Sequence, residues 1–220
     1  MGRVVVKCGG AVYRDVVDEV LALAADDEIC VVHGAGPQIS AEMERRGLAV
    51  EFVGGRRVTT AEALEVVRES FLEVNRALVD ALGARAVGLM GDEAGLEAQH
   101  VPELGLVGEA RPSAPAAIVD LLESGRIPVV APLARGPLNV NGDEAAGALA
   151  VGLRADRLVF FTDVPGVYLD GEVVERIAAD EADQLLAAGR FEGGIVPKLR
   201  AAASAARAGV ATTIGATTIA

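Results

Sequence analysis

The fold of this chain is determined by its first strand and turn, residues 4–10, which read VVVKCGG. Three consecutive valines are typical of a strand buried on both faces, and the glycine pair is typical of a tight turn into a helix. Residues 28–36 repeat the pattern with EICVVHGAG. Apolar strands that alternate with helical segments predict an α/β fold with a mostly parallel central sheet.

The remaining elements follow the same alternation. We expect helices at residues 13–25, after Pro37, from Thr59 or Thr60 to Leu82, and at 116–124, 139–153, 179–188 and 198–208. We expect strands at 85–89, 127–131 and 157–161, an irregular or hairpin region at 91–108, and two short strands around Gly215. Ligands of such sheets bind at the carboxyl ends of the strands, where the glycine-rich turns lie.

The composition indicates a soluble globular protein. Of 220 residues, 51% are hydrophobic and 24% are charged, and no apolar run reaches the roughly 18 residues that span a membrane. The net charge of −12 and an aromatic content of 3% argue against a nucleic-acid partner. The start lacks a signal peptide, so we expect a cytoplasmic location. Cys8 and Cys30 are too few for a disulfide framework or a zinc site.

Only two of the 20 basic residues are lysines, Lys7 and Lys198. A bias of composition explains the abundant arginines, but it does not explain why each lysine lies close to a glycine pair. A compact ammonium approaches a transferring phosphate as a point charge, unlike the planar guanidinium of arginine. We therefore predict functional roles for both lysines.

Two strand-to-helix turns are rich in glycine, Gly9-Gly10 after the first strand and Gly34-Ala35-Gly36 after the second. Glycine lets backbone N–H groups approach an anion, and the N-terminus of the next helix adds a favourable field. A packing requirement is the alternative explanation for either turn alone. The chain lacks G-x-x-x-x-G-K-[ST], which excludes a Walker-type NTPase, and lacks G-x-G-x-x-G after the first strand, which argues against a nicotinamide-dependent oxidoreductase.

Two polar segments complete the candidate site. Asn139 and Asn141 are two of the three asparagines, and in an extended segment their side chains point to the same side. Asp143 is either a helix N-cap or a carboxylate that positions lysine ammonium groups. Residues 54–59, GGRRVT, place an arginine before a long amphipathic helix, where a guanidinium suits the binding of a substrate carboxylate.

Taken in order, these segments resemble the amino-acid kinase superfamily and, within it, the acetylglutamate kinases. The resemblance covers nearly the whole chain and rests on residues 5–10 (VVKCGG), 32–38 (VHGAGPQ), 55–59 (GRRVT), 104–108 (LGLVG), 139–146 (NVNGDEAA), 162–167 (TDVPGV) and 193–198 (GGIVPK). It implies a three-layer αβα sandwich in a single domain, residues 1–220. About residues 1–152 would form a lobe for the acyl amino acid, and about residues 153–220 a lobe for ATP.

The resemblance also implies a reaction. The γ-phosphoryl group of ATP would pass to the side-chain carboxylate of N-acetyl-L-glutamate, a step of arginine biosynthesis, with Mg²⁺ carried on the ATP phosphates. Two lysines would neutralise the transferring phosphoryl group and an aspartate would orient them. By position, the catalytic residues are Lys7, Lys198 and Asp143, the substrate-binding residues are Arg57, Asn139, Asn141, Gly34, Ala35 and Gly36, and the ATP-binding residues are Gly9, Gly10, Thr162, Asp163 and Gly166.

Three features depart from the family pattern. Ala35 stands where relatives have the middle of three glycines, and its methyl group would either crowd the phosphoryl path or shift the loop slightly. The tail joins the last two strands almost directly, where relatives insert a helix. No extension precedes the first strand, and relatives with such an extension are hexamers inhibited by arginine, so we expect a homodimer insensitive to arginine.

Two alternatives to this function stay open. A sister kinase of the same fold would act on carrier-linked glutamate or aminoadipate, or on free glutamate. A non-catalytic relative would bind ligands without turnover, which Ala35 and the short tail favour and intact Lys7, Asp143 and Lys198 oppose.

Overall fold

A computed structural model of the chain describes residues 2–10, 16–162 and 164–220. Its strands are β1 (Arg3–Cys8), β2 (Glu28–His33), β3 (Phe52–Val53), β4 (Arg56–Arg57), β5 (Ala86–Met90), β6 (Ala98–His100), β7 (Val107–Ala110), β8 (Ile127–Ala131), β9 (Leu133–Ala134), β10 (Leu138–Val140), β11 (Arg157–Phe161), β12 (Tyr168–Leu169), β13 (Glu172–Val173), β14 (Arg176–Ile177), β15 (Ala211–Ile214) and β16 (Thr217–Ile219). Its helices are α1 (Val17–Leu23), α2 (Gly36–Arg45), α3 (Ala61–Leu82), α4 (Gly91–Ala94), α5 (Ala116–Glu123), α6 (Gly142–Gly152), α7 (Ala179–Ala187) and α8 (Ile195–Arg207), with a 3₁₀ turn at Pro102–Leu104.

An eight-stranded sheet runs through the centre of the molecule in the order β14-β16-β15-β11-β1-β2-β8-β5. Its neighbours pair in parallel except β15 and β16, which are antiparallel. Strand β1 lies near the middle, between β11 and β2, as its three consecutive valines predict. The α/β prediction with a mostly parallel sheet is therefore confirmed.

Helices cover both faces of this sheet, which makes three layers. Alternate residues of β1 point to opposite faces, so Val4 and Val6 pack in one core and Val5 in the other. The first core contains buried side chains of α1, α2 and α3, and the second contains those of α5, α6, α7 and α8. The division into two lobes near residue 152 stays a prediction.

Three predicted helix boundaries were wrong. Helix α6 begins at Gly142 and not at Asn139, because Asn139 pairs with Val107 in the four-stranded sheet β6-β7-β10-β9. Helix α8 begins at Ile195 and not at Lys198, since Pro197 is tolerated in a first turn, where backbone N–H groups have no partner within the helix. Helix α1 ends at Leu23, two residues early, and its predicted start at residues 13–15 lies outside the described residues.

Other predicted features are confirmed. Thr60 caps α3, its hydroxyl accepting a hydrogen bond from the backbone N–H of Ala63 at 3.2 Å. The tail forms two antiparallel strands around Gly215, whose φ of +53° requires glycine. Residues 98–110 form a hairpin through β6 and β7.

Among the described helices, none is both long and apolar enough to cross a bilayer.

Candidate active site

The parallel strands bring their carboxyl ends to one edge of the sheet, where a cleft of about 270 Å³ opens. Loops after β1, β2 and β8 reach this cleft, together with the β3–β4 hairpin and the start of α6. It is lined by Lys7, Gly10, Gly34, Ala35, Gly36, Pro37, Ile39, Phe52, Gly55, Arg56, Arg57, Phe71, Val107, Pro132, Asn139, Val140, Asn141, Gly142 and Asp143. All six residues predicted to bind substrate are in this lining.

Two ammonium groups share one carboxylate oxygen beside the cleft. Asp143 Oδ1 lies 2.7 Å from Lys7 Nζ and 3.0 Å from Lys198 Nζ. Lys7 comes from the end of β1, Asp143 from the first turn of α6, and Lys198 from the first turn of α8. The structure therefore brings together the only two lysines of the chain around one aspartate, an arrangement with one net positive charge.

Burial and charge act in opposite directions on this cluster. Burial by itself raises the pKa of Asp143, but the ammonium groups of Lys7 and Lys198 hold that pKa below its ordinary value. Burial lowers the pKa of Lys198, as does the nearby Lys7 ammonium, and the Asp143 carboxylate opposes both effects. Asp143 is thus ionised at neutral pH and holds two cations that would otherwise repel each other.

The two glycine-rich turns touch each other at the edge of the cleft. A Cβ atom added at Gly10 would lie 2.9 Å from Ala35 Cα and 3.0 Å from the Gly34 carbonyl oxygen, so this contact requires glycine. Gln38 links the two turns, because its Nε2 donates a hydrogen bond to the Gly10 carbonyl oxygen at 2.8 Å. Ala35 is buried in the core beneath α1 to α3, where its methyl group packs against apolar side chains.

Arg57 places a buried guanidinium in the cleft. Its Nη2 donates to Ser40 Oγ at 2.8 Å and to the Gly36 carbonyl at 3.2 Å, and the group lies 4.5 Å above the Phe52 ring. Burial lowers the pKa of Arg57, and within the described residues no carboxylate forms an ion pair with it. A buried cation without a carboxylate partner is suited to an anionic ligand.

The two asparagines of the cleft differ in how their amides are used. Asn139 is buried and donates from Nδ2 to Thr59 Oγ1 at 3.0 Å. Asn141 is the N-cap of α6, accepting from the backbone N–H groups of Asp143 and Glu144, and it donates to the Gly55 carbonyl at 2.9 Å. The N-cap alternative for Asp143 is therefore wrong, and Asn141 has a structural use besides its place in the cleft.

The residues predicted to bind ATP are only partly brought together. Gly9 and Thr162 follow β1 and β11, which are neighbours in the sheet. Gly166 is buried by close packing, since an added Cβ would lie 2.7 Å from Thr217 Oγ1. Asp163 lies outside the described residues. The roles of these residues stay predictions.

Sequence reasoning missed two polar contacts around the cleft. Arg56 forms a bidentate pair with Glu144, Nε to Oε1 at 2.9 Å and Nη2 to Oε2 at 3.0 Å. His33 is buried behind Phe71, and its Nε2 accepts from Asn75 Nδ2 at 3.0 Å. No local sequence motif marks either contact. Asn75 is the third asparagine of the chain, and it is buried, as is Asn139, whereas Asn141 caps a helix.

The burial of His33 makes the stability of the fold depend on pH. Desolvation lowers the pKa of His33 from 6.5 to about 4, so the unfolded chain binds a proton at a higher pH than the folded chain does. Stability is therefore lost as the pH falls through this window, by about 3 kcal/mol from about pH 7 to about pH 4. Urea denaturation across this range measures the loss.

A histidine substitution tests this assignment. His33→Gln should flatten the pH dependence, whereas His100→Gln, which removes the exposed histidine, should leave it as in the wild type. An equal slope in all three proteins would show that His33 is not the responsible group.

An α/β sheet whose carboxyl edge carries glycine-rich turns and a lysine–aspartate–lysine cluster is the arrangement of a phosphoryl-transfer enzyme. Residues 2–215 match the family model of the amino acid kinase family. The chain therefore belongs to the amino acid kinase family.

Relatives and solved structures agree with this placement. An acetylglutamate kinase of Methanopyrus kandleri is 43% identical, over 93% of this chain and 91% of the relative. An acetylglutamate kinase of Saccharopolyspora erythraea is 42% identical, over 94% of this chain and 77% of the relative. The crystal structure of smu.665 from Streptococcus mutans UA159 superimposes with a TM-score of 0.88 at 28% identity, covering 99% of this chain and 98% of that one.

Proposed function

We propose that this protein is an acetylglutamate kinase, which phosphorylates the side-chain carboxylate of N-acetyl-L-glutamate with ATP. The observation that carries the proposal is the cluster of Lys7, Asp143 and Lys198 at the edge of a cleft that also holds the Arg57 guanidinium. The similarity to acetylglutamate kinases over nearly the whole chain supports the choice of acceptor.

We assign a task to each charged group of the cluster. A carboxylate oxygen of the acceptor forms a bond to the γ-phosphorus as the bond from that phosphorus to the bridging oxygen breaks, and ADP leaves with the electron pair. The acceptor is already ionised near neutral pH, so no general base is required. Lys7 and Lys198 neutralise the oxygens of the transferring group, while Asp143 keeps both ammonium groups at fixed positions.

The cleft also suits the other end of the acceptor. The Arg57 guanidinium would bind the α-carboxylate, since it is buried without a carboxylate partner among the described residues. Asn139, whose Nδ2 donates to Thr59 Oγ1, would meet the acetylamino group with its carbonyl oxygen. The backbone of residues 34–36 would lie beside the reacting carboxylate.

ATP and its metal fit the same edge of the sheet. Two ammonium groups and the turn at Gly9 and Gly10 suit a triphosphate. In the part of the chain that the structure describes, no group of three His, Cys, Asp or Glu side chains is arranged to hold a metal ion. We assign Mg²⁺ to the phosphate oxygens of the nucleotide, as is usual for this ion, and place Thr162, Asp163 and Gly166 at the nucleotide itself.

Hydroxylamine trapping of the acyl phosphate tests the proposed reaction. Purified protein is given ATP and Mg²⁺ with N-acetylglutamate, free glutamate or N-acetylaminoadipate, and hydroxamate formation is measured. We expect turnover with N-acetylglutamate alone. Turnover only with another acceptor would reassign the substrate, and ATP binding without turnover would support a carrier-linked substrate or a non-catalytic protein.

We also propose that the protein acts as a homodimer in the cytoplasm. Sedimentation at several concentrations tests the assembly, and a hexamer would contradict it.

A further inference from the structure

We propose that the ion pair between Arg56 and Glu144 is a latch that positions Arg57 in the acceptor site and so sets the affinity for the acceptor. Neither residue belongs to the cluster of Lys7, Asp143 and Lys198, so we treat both as positioning residues. The inference rests on the proposed function for the identity of the acceptor, but the latch itself can be tested without any substrate.

The latch matters because, among the strands that the structure describes, the hairpin that carries Arg57 pairs with none outside itself. Strands β3 and β4 form a separate two-stranded sheet, with Phe52 opposite Arg57 and Val53 opposite Arg56. Gly54 and Gly55 make the turn with φ values of +57° and +82°. An isolated two-stranded hairpin is marginally stable in water, so its position depends on contacts with the rest of the molecule.

Three of those contacts reach the helices that carry the lysine–aspartate cluster. The Gly55 carbonyl accepts from Asn141 Nδ2 at 2.9 Å, and Arg56 pairs with Glu144 in the first turn of α6. Gly55 also packs against Pro197, the residue before Lys198, since an added Cβ would lie 3.1 Å from Pro197 Cγ. These contacts therefore hold the hairpin against the N-terminal ends of α6 and α8.

The ion pair is the strongest of these contacts. Both oxygens of Glu144 accept from Arg56, and the two side chains are only 22% and 16% exposed. A bidentate pair of this geometry fixes orientation as well as distance, and its partial burial reduces screening by salt. Glu109 also lies near Arg56, at 3.8 Å, but it is 44% exposed, so it is a poor substitute for Glu144.

The positions of Arg56 and Glu144 in the sequence explain how their ion pair orients Arg57. Arg56 precedes Arg57 in β4, and Glu144 follows Asp143 in α6. Successive side chains of a strand point to opposite sides, so fixing the Arg56 side chain fixes the direction of the Arg57 side chain. The latch thus ties the acceptor-binding guanidinium to the helix turn that holds both lysines.

The first test compares Glu144→Gln and Arg56→Gln with Glu109→Gln as the matched control, which also neutralises a charge near Arg56. For Glu144→Gln and Arg56→Gln we expect the KM for N-acetylglutamate to rise about 10-fold, the size of effect typical of a charge-assisted pair. We expect kcat to fall less than KM rises, and the KM for ATP to stay unchanged. The double variant should be no worse than either single variant, because both remove the same contact.

The second test needs no substrate and measures amide hydrogen exchange of residues 51–58. Both latch variants should exchange faster than the wild type in this segment, while β1 and β2 remain protected and Glu109→Gln matches the wild type. Unchanged exchange and unchanged KM, or additive effects in the double variant, would overturn the latch. If the wild type does not phosphorylate N-acetylglutamate, the exchange result still decides about the latch, and only the proposed function fails.

Discussion

Lys198→Ala is expected to lower kcat by about 10²- to 10³-fold, the loss typical of removing one preorganised group that stabilises the transition state. Its ammonium lies 3.0 Å from Asp143 Oδ1, where it would neutralise charge on the transferring phosphoryl group. The KM values for ATP and N-acetylglutamate should change less than kcat, because the charge is most needed during transfer. Steady-state hydroxamate assays measure both parameters.

The fold should survive this substitution, since Asp143 keeps its contact with Lys7 at 2.7 Å. Arg207→Ala is the matched control, because it removes a cation from the far end of the same helix, where Arg207 pairs with Asp180. That variant should keep kcat within about twofold of the wild type, as expected for an exposed pair. A kcat for Lys198→Ala equal to that of the control would remove Lys198 from the mechanism.

Arg57→Gln is expected to raise the KM for N-acetylglutamate about 30- to 150-fold, which corresponds to the loss of roughly 2–3 kcal/mol from a charge-assisted hydrogen-bonded pair. Arg57 is 6% exposed and is not paired with any carboxylate of the described residues, so an acceptor carboxylate would be its first anionic partner. The KM for ATP should stay unchanged. Initial rates over a matrix of both substrate concentrations separate the two constants.

The stability of this variant gives an independent readout. Burying an unpaired charge is costly, so Arg57→Gln should not lower Tm in the absence of ligand, while stabilisation by added N-acetylglutamate should disappear. Arg57→Lys keeps the charge but not the planar fork, and it should recover only part of the affinity. An increase in the KM for ATP instead of the acceptor would place Arg57 at the nucleotide.

Most of the fold could be predicted from local sequence patterns, because most helices and strands have a hydrophobic periodicity of their own. Strand β1 is apolar on both faces, and parallel strands place the turns after Cys8 and His33 at one edge. The start of α6 was placed too early because Asn139 belongs to a strand whose partner, β7, is about thirty residues away in the chain. Such pairing depends on tertiary contacts that no window of local sequence contains.

The candidate site also depends on tertiary contacts that local sequence does not reveal. Two rare lysines and one aspartate were noticeable in the sequence, and the structure brings them together. The Arg56–Glu144 pair joins residues 88 positions apart, and Arg56 is one of many arginines, so no spacing distinguished it. Charges that are common in a chain become informative only when the fold shows which of them meet.

The position of β1 in the sheet also governs when the protein can fold during its synthesis. Residues 3–8 pair on one side with residues 28–33, which leave the ribosome early, and on the other with residues 157–161, which leave it late. Until then one edge of this largely apolar strand has no partner, and such edges pair readily with other chains. The nascent chain therefore cannot complete its central sheet stepwise, and an expressed fragment that stops short of residue 157 would be prone to aggregation.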